Sequence, residues 1–387
     1  MKLQIETDRY HYLDNLRALA MLAGVLFHAA LAYSPLMHKF WLTADRSRSE
    51  WVDVAVWFLH LFRMPLFFAI AGFFASRLVS RRGVGGMMRN RMARVLLPLA
   101  VFWPVVTASI GWLTNWAAGW VQNPSPLLGM LRRSELPTVP PGLAHLWFLG
   151  YLMWFYLWIW IAATAEWRVP PGWAEGWTPG KLLGVAPLLL APALALVSAP
   201  TPAPDGLLPQ LWALGYYGMF FFFGYGLDKQ PSLLNQLRRW SMSLAAASLA
   251  GYAAFLYLLK EHGTNPVAHV LEAVLQAYLS VWLTLWLLQA GHCWMNAHSR
   301  WLRYLSDGSY WTYLVHLPVV FAVQYLLLDW EANWFIKWTV SVLSTITLCL
   351  ASYQFGVRGR LLDRVLNGRI GAREGRGATS PKVEFSL

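Results

Sequence analysis

The segment "LDNLRALAMLAGVLFHAALAY", residues 13–33, combines two properties that rarely occur together. A run of about 20 mainly apolar residues is long enough to cross the hydrocarbon core of a bilayer. The same run contains Asp14, Arg17 and His28. Ionisable side chains are costly in lipid and normally face the interior of a helix bundle. The segment therefore predicts a membrane-spanning helix with one polar, functional face.

Similar apolar segments recur along the chain. Of its 387 residues, 57% are hydrophobic and 13% are charged, whereas a soluble chain has about 25% charged residues. We therefore predict an all-α integral membrane protein with about ten transmembrane helices. A single polytopic domain occupies residues 1–356, and a basic, Gly-rich tail, 357–387, is expected to be disordered. The predicted spans are about 12–36, 51–79, 90–115, 144–165, 181–199, 207–227, 241–260, 267–290, 303–328 and 333–356.

The distribution of positive charge orients these spans. With a cytoplasmic N-terminus, the cytoplasmic segments hold 22 Lys and Arg residues and the opposite segments hold seven. Membrane proteins concentrate basic residues on the cytoplasmic side. We therefore predict that both termini are cytoplasmic. The net charge of +12 then reflects topology, and no nucleic-acid partner is needed to explain it.

The spacing of Arg17 and His28 places them on one face of the first span. They are eleven residues apart, which is about three helical turns and roughly 16 Å along the axis. Asp14 precedes Arg17 by three residues and is positioned to pair with it. In the predicted orientation, a fixed cation lies towards the cytoplasm and a titratable base lies beyond the bilayer midplane.

Further arginines stand in or beside the second and third spans. Arg63 has no acidic neighbour in the sequence of its span. Arg89, Arg91 and Arg94 crowd the cytoplasmic start of the third span. This cluster fits the positive-inside rule alone, or a phosphate clamp, because guanidinium binds phosphate in a bidentate manner.

Polar groups in later spans complete the candidate set. "HLWFL" contains His145 and Trp147, span eight contains Glu272, and "SYWTYLVHLP" contains Tyr313 and His316. The histidines lack the one-turn spacing with an acid that marks a zinc helix, so we expect no metal site. A G-x-S-x-G nucleophile motif is absent from the sequence.

Five segments carry a resemblance to a known family: "YLDNLRALAMLAGVLFHAALAYS", "HLFRMPLFFAIAGFFAS", "RMARVLLP", "HLWFL" and "SYWTYLVHLP". In this order they resemble the membrane-bound acyltransferase 3 family and, within it, the glucan biosynthesis protein C group of glucan succinyltransferases. The family's Arg-x10-His signature falls on Arg17 and His28. Its Arg-x-x-Arg motif falls on Arg91 and Arg94.

The resemblance implies a multi-pass enzyme of the bacterial inner membrane, with acyl-coenzyme A as the donor substrate and no permanently bound cofactor. A succinyl or acetyl group would pass from cytoplasmic acyl-coenzyme A to a hydroxyl of a periplasmic glucan. His28 would act as general base, Glu272 would orient it, and Tyr313 or His316 would stabilise the oxyanion. The expected coenzyme A ligands are Arg17, Arg63, Arg89, Arg91 and Arg94, and the expected acceptor ligands are His145 and Trp147.

Other functions remain open at this stage. Within the enzyme class, the protein is alternatively an O-acetyltransferase that acts on another envelope polysaccharide, and the reaction alternatively passes through a covalent acyl-histidine. In a different class, a transporter or flippase would use Arg17, Glu272 and the histidines as a proton or substrate path. The chain shows no internal repeat of the kind that many transporters carry.

Overall fold

A computed structural model describes residues 10–135, 142–167, 176–260, 265–297 and 299–367. These residues are folded as helices and connecting loops, with no β-strand among them. The α-helices are α1 His11–Ala30, α2 Glu50–Arg91, α3 Leu97–Trp120, α4 Pro126–Arg132, α5 Trp147–Thr164, α6 Ala186–Leu194, α7 Leu211–Leu227, α8 Ser232–Leu237, α9 Ser241–Lys260, α10 Pro266–Trp294, α11 Arg300–Leu327, α12 Trp334–Ser352 and α13 Leu361–Asn367.

Four of the long helices begin at a residue whose side chain caps the helix. The side chains of Ser49, Asn265, Ser299 and Asn333 accept hydrogen bonds from backbone N–H groups in the first turns of α2, α10, α11 and α12. Such caps satisfy donors that have no partner within the helix. Between the caps, apolar side chains such as Leu249 and Leu343 remain more than 60% exposed. Exposed apolar surface along long helices fits a lipid environment.

A helix occupies each of the ten predicted spans, and within the described residues seven helical segments are long and apolar enough to cross a membrane. One of the seven, Glu50–Trp120, covers predicted spans two and three. Within it, Gly83 has a non-helical backbone with φ of 67°. Lys181–Leu194 and Leu211–Leu227 are short for a crossing. The membrane-spanning all-α class is therefore confirmed, while the count of ten and the cytoplasmic termini stay predictions.

The predicted disordered tail begins with an ordered helix. The short helix α13, Leu361–Asn367, contacts α11 and the π-helical segment Met92–Leu96. Leu366 within it is buried. Disorder from residue 357 is therefore wrong for this helix, whose apolar side chains find a surface to pack on. Residues 368–387 of the predicted tail lie outside the described residues.

Helix α1 lies at the centre of the bundle, in contact with α2, α10, α11 and α12. The most intimate pair is α2 and α7, which meet through glycines. A Cβ atom on Gly224 would lie 1.8 Å from the Ala69 carbonyl oxygen, and one on Gly72 would lie 1.8 Å from the Phe221 carbonyl oxygen. Small residues let helix backbones approach closely inside membranes.

Replacement of Gly224 by Ala should therefore separate α2 from α7. We expect a loss of at least about 1–3 kcal/mol of stability, because the clash is with backbone that cannot rotate away. Thermal unfolding of the detergent-solubilised protein measures this loss. Gly111→Ala on α3 is the matched control, because a Cβ atom there meets nothing within 4 Å. Equal melting temperatures for the two variants would contradict the close-packing account.

Candidate functional site

A cavity of about 560 Å³ lies between α1, α2, α5 and α11. Its polar wall contains Arg17, Arg81, Arg91 and Arg94, and the exposure of Arg81 shows that the cavity opens at this end. Three of the five predicted coenzyme A arginines are therefore brought together. Arg89 lines a neighbouring depression that also contains Arg94, and Arg63 lies deeper in the bundle. Arg81 was not predicted, because it lies in a run of basic residues and their spacing does not show which of them lines the cavity.

The cavity arginines are held by specific neighbours. Arg17 Nη2 donates to Ser306 Oγ at 3.0 Å and lies 3.6 Å from Asp14 Oδ1, which confirms the predicted Asp14–Arg17 pair. The Arg91 guanidinium lies over the Tyr156 ring, 5.0 Å from its centroid. Tyr310 donates from its hydroxyl to the Arg94 carbonyl oxygen at 2.7 Å. The cationic end of the cavity is thus preorganised by aromatic and polar contacts.

On each of the four helices that line the cavity, the face that lines it continues further into the bundle. On α1, Asp14, Arg17 and Met21 line the cavity, and the same stripe continues at three- and four-residue spacing to Gly24 and His28. On α2, which runs in the opposite direction, the lining stripe Phe74–Ala71–Phe67 continues one turn further, to Arg63.

The other two walls lead to the same place. On α11, Ser309, Tyr310 and Tyr313 line the cavity, and His316 follows one turn later. On α5, the stripe from Tyr156 to Phe148 is extended by His145, which lies in the 3₁₀ turn Ala144–Leu146. The four stripes therefore converge on Arg63, His28, His145 and His316.

The three histidines form one cluster. His28 Nδ1 lies 2.8 Å from His316 Nε2. The His145 ring centroid is 4.8 Å from that of His316 and 6.4 Å from that of His28. Tyr313 joins the cluster to the cavity, since its carbonyl oxygen accepts from His145 Nε2 and its hydroxyl donates to the His145 carbonyl oxygen, each at 2.8 Å.

The hydrogen bonds assign the tautomer of each cluster member. His316 Nδ1 lies 2.9 Å from the Tyr313 carbonyl oxygen and 3.1 Å from that of Thr312. Carbonyls only accept, so His316 Nδ1 carries a proton, and in the neutral imidazole its Nε2 is then an acceptor. His28 must then donate from Nδ1, which leaves a lone pair on Nε2. Since His28 Nε2 has no hydrogen-bond partner among the described residues, the arrangement presents a free base.

These contacts bear on the roles predicted for Glu272, Tyr313 and His316, which stay predictions. His316 makes the orienting contact on His28 Nδ1 that was predicted for Glu272. Tyr313 and His316 direct their donors at backbone carbonyls, so neither offers a free donor to an oxyanion in this conformation. Sequence spacing cannot identify the partner of His28 or of the Tyr313 hydroxyl, because each partner lies on another helical segment.

Glu272 lies in a second polar cluster. It is fully buried on α10, one turn before Gln276, which donates to Thr201 Oγ1 at 3.2 Å. His60 Nε2 lies 3.0 Å from the Thr201 carbonyl oxygen. Glu272 is therefore placed near the neighbours of His60, and any catalytic role for it stays a prediction.

Trp147 does not offer a free face for a sugar. Its side chain is 7% exposed and packs in the hydrophobic core, with the Tyr217 ring centroid 5.1 Å away and that of Phe68 6.2 Å away. Helix packing covers this indole in the structure, and acceptor binding by Trp147 stays a prediction. His145 is also buried, but it belongs to the histidine cluster.

The loop 34–49 covers the far end of the cluster. Trp41 from this loop stacks near His28, with ring centroids 6.4 Å apart and planes 3° apart. Asp45 and Lys337 form a buried ion pair at 2.7 Å, with each side chain 4% exposed. The loop is thereby tied to α12. Lys337 is a structural residue, because the Asp45 carboxylate neutralises its charge inside the protein.

Comparisons with known proteins identify the family of the chain. The family model described as acyltransferase domain, of the acyltransferase 3 family, matches residues 10–354. The chain is 24% identical over 376 residues to the glucans biosynthesis proteins C of Salmonella heidelberg, Salmonella typhi and Salmonella typhimurium, covering 94% of this chain and 96% of each relative. No solved structure matches the chain. The histidine cluster and all cavity-lining residues except Leu366 lie within the matched residues, and the chain belongs to the acyltransferase 3 family.

Proposed function

We propose that this membrane acyltransferase moves an acyl group, succinyl in the first instance, from cytoplasmic acyl-coenzyme A to a hydroxyl of a periplasmic glucan. The observation that carries the proposal is the convergence of an arginine-lined cavity on a histidine whose Nε2 lone pair is free. The name of the relatives, glucans biosynthesis protein C, supports the acceptor class. Acetyl transfer to another envelope polysaccharide is the alternative, and family membership favours either reaction over transport.

The donor is expected to enter at the arginine-rich end. Arg17, Arg91 and Arg94 supply charge-assisted hydrogen bonds for its phosphates. Arg17 and His28 are about 16 Å apart along α1, a separation that suits the long pantetheine arm between the phosphates and the sulfur. The residues that end the cavity, Phe67, Phe148 and Tyr313, provide apolar walls for that arm.

The acyl transfer requires one proton to move from the acceptor hydroxyl to the departing sulfur. His28 Nε2 accepts the proton of the acceptor hydroxyl as its oxygen attacks the thioester carbonyl. The carbon–sulfur bond breaks, and the proton passes from His28 to the departing thiolate. His316 keeps the imidazole oriented through its contact with Nδ1. The atoms balance with an ester and free coenzyme A as products.

His28→Ala should reduce glucan-dependent release of coenzyme A from succinyl-coenzyme A by about 10²- to 10⁴-fold, the usual contribution of a positioned general base. The assay uses membranes or detergent-purified protein, with transferred label on the glucan as a second readout. His269→Ala is the control, because His269 binds the Ala195 carbonyl oxygen outside the cluster. Unchanged turnover in His28→Ala would refute the mechanism.

His316→Leu and His316→Gln separate positioning from packing. The glutamine carbonyl can still accept from His28 Nδ1, whereas leucine leaves this buried donor without a partner, at a cost of about 1–3 kcal/mol. We therefore expect leucine to lower kcat about 5- to 150-fold below the glutamine variant, with an altered pH profile of kcat. Similar kcat values and pH profiles would show that His316 does not position the base.

Arg91→Gln should raise the KM for acyl-coenzyme A about 10- to 150-fold, the effect of losing a charge-assisted hydrogen bond. Arg89→Gln is the matched control, since Arg89 is exposed and lies outside the cavity. It removes the same charge from the same helix end. Equal effects of the two substitutions would indicate general surface attraction of the donor and contradict a specific phosphate site.

A further inference from the structure

Arg63 is a buried cation with an incomplete set of partners. It is 5% exposed. Its Nη1 donates to the Gly24 carbonyl oxygen at the long distance of 3.5 Å, and its guanidinium carbon lies 4.1 Å from the centroid of the Phe27 ring. The Nε atom is buried without a hydrogen-bond partner. No carboxylate in the described part of the chain forms an ion pair with this guanidinium.

The other deeply buried cation behaves differently. Lys337 is 3% exposed and has the Asp45 carboxylate 2.7 Å away. Arg77, which is more exposed, also has a carboxylate, that of Asp228, at 2.9 Å. An isolated buried charge is strongly unfavourable unless an anion compensates it. The missing anion at Arg63 therefore points to one supplied by a ligand.

The position of Arg63 identifies the part of the donor that it meets. Arg63 contacts Gly24, which precedes His28 by one turn, or about 6 Å along α1. On α1, the cavity residue Arg17 lies seven residues, or about two turns, further from His28 than Gly24 does. If the phosphates bind at Arg17, Arg91 and Arg94, Arg63 is too close to His28 to share them and faces the acyl end.

We propose that Arg63 binds a carboxylate carried by the acyl group itself, and so selects acyl-coenzyme A donors with an acid at the far end of a short chain. This inference rests on the proposed function and narrows its donor class. A planar guanidinium matches a carboxylate in a bidentate geometry. A thioester oxyanion is a weaker match, because it exists only transiently and leaves the guanidinium uncompensated in the resting complex.

The test compares succinyl-coenzyme A with butyryl-coenzyme A, a neutral donor of equal chain length. The wild-type protein should prefer the succinyl donor. Arg63→Met should lower kcat/KM for the succinyl donor about 10- to 150-fold, as expected for the loss of a charged hydrogen-bonded pair. It should leave the butyryl donor unchanged or improved. Arg63→Lys, which keeps the charge without the planar fork, should give an intermediate preference.

Arg17→Met is the matched control, because Arg17 lies at the phosphate end and should affect both donors equally. An equal loss with both donors in Arg63→Met would assign Arg63 to the oxyanion and overturn the proposal. Absence of a succinyl preference in the wild-type protein would also overturn it. Thermal unfolding establishes that the variants are folded, and removal of a buried uncompensated charge should not lower stability.

A binding measurement separates this proposal from the proposed function. In a His28→Ala background, where turnover is expected to be at least about 10²-fold slower, succinyl-coenzyme A should raise the melting temperature more than butyryl-coenzyme A does. The difference should vanish in His28→Ala/Arg63→Met. If this difference appears but the wild-type protein transfers no acyl group, the transferase function fails and the carboxylate site stands. If wild-type transfer occurs without any such difference, only the carboxylate site fails.

Discussion

The hydrogen bond between His28 Nδ1 and His316 Nε2 determines the chemistry available in the centre of this bundle. It joins the first membrane helix to the eleventh α-helix, and it requires His28 to donate from Nδ1. That requirement follows from the carbonyls that occupy His316 Nδ1, because a carbonyl has no proton to give. A short chain of backbone and side-chain contacts therefore specifies which nitrogen of His28 keeps a lone pair.

The contacts around this pair show how the membrane environment shapes the site. Without water in the hydrocarbon region, polar groups must find partners inside the bundle or in a ligand. Asp45 and Lys337 satisfy each other, and Thr201 satisfies His60 and Gln276. Arg63 Nε and His28 Nε2 have no hydrogen-bond partner among the described residues, and both residues lie at the end of the four helix stripes that leave the cavity. Other buried polar atoms without a hydrogen-bond partner, such as Ser248 Oγ on α9 and Thr345 Oγ1 on α12, lie elsewhere in the bundle.

The electrostatic layout gives the site a direction. Arg17, Arg81, Arg91 and Arg94 surround the open end of the cavity, and neutral histidines occupy the covered end beneath Trp41. In the proposed function, the phosphates of the donor bind at the first end and its acyl group reaches the second. This division provides a structural basis for the proposed transfer across the bilayer.

Local sequence determined a large part of this protein. Apolar length alone identified membrane helices, and helical periodicity placed Asp14, Arg17 and His28 on one face, because both properties depend only on residues within one segment. The sequence also placed the motif residues Arg91 and Arg94 together near the start of the third span, and in the structure both line the cavity. The tertiary structure decided the partners: His316 in place of Glu272 on His28, Asp45 on Lys337, and the burial of Trp147. These contacts join residues far apart in the chain, and the hydrophobic pattern of a helix states which face is buried without stating which neighbouring helix will cover it.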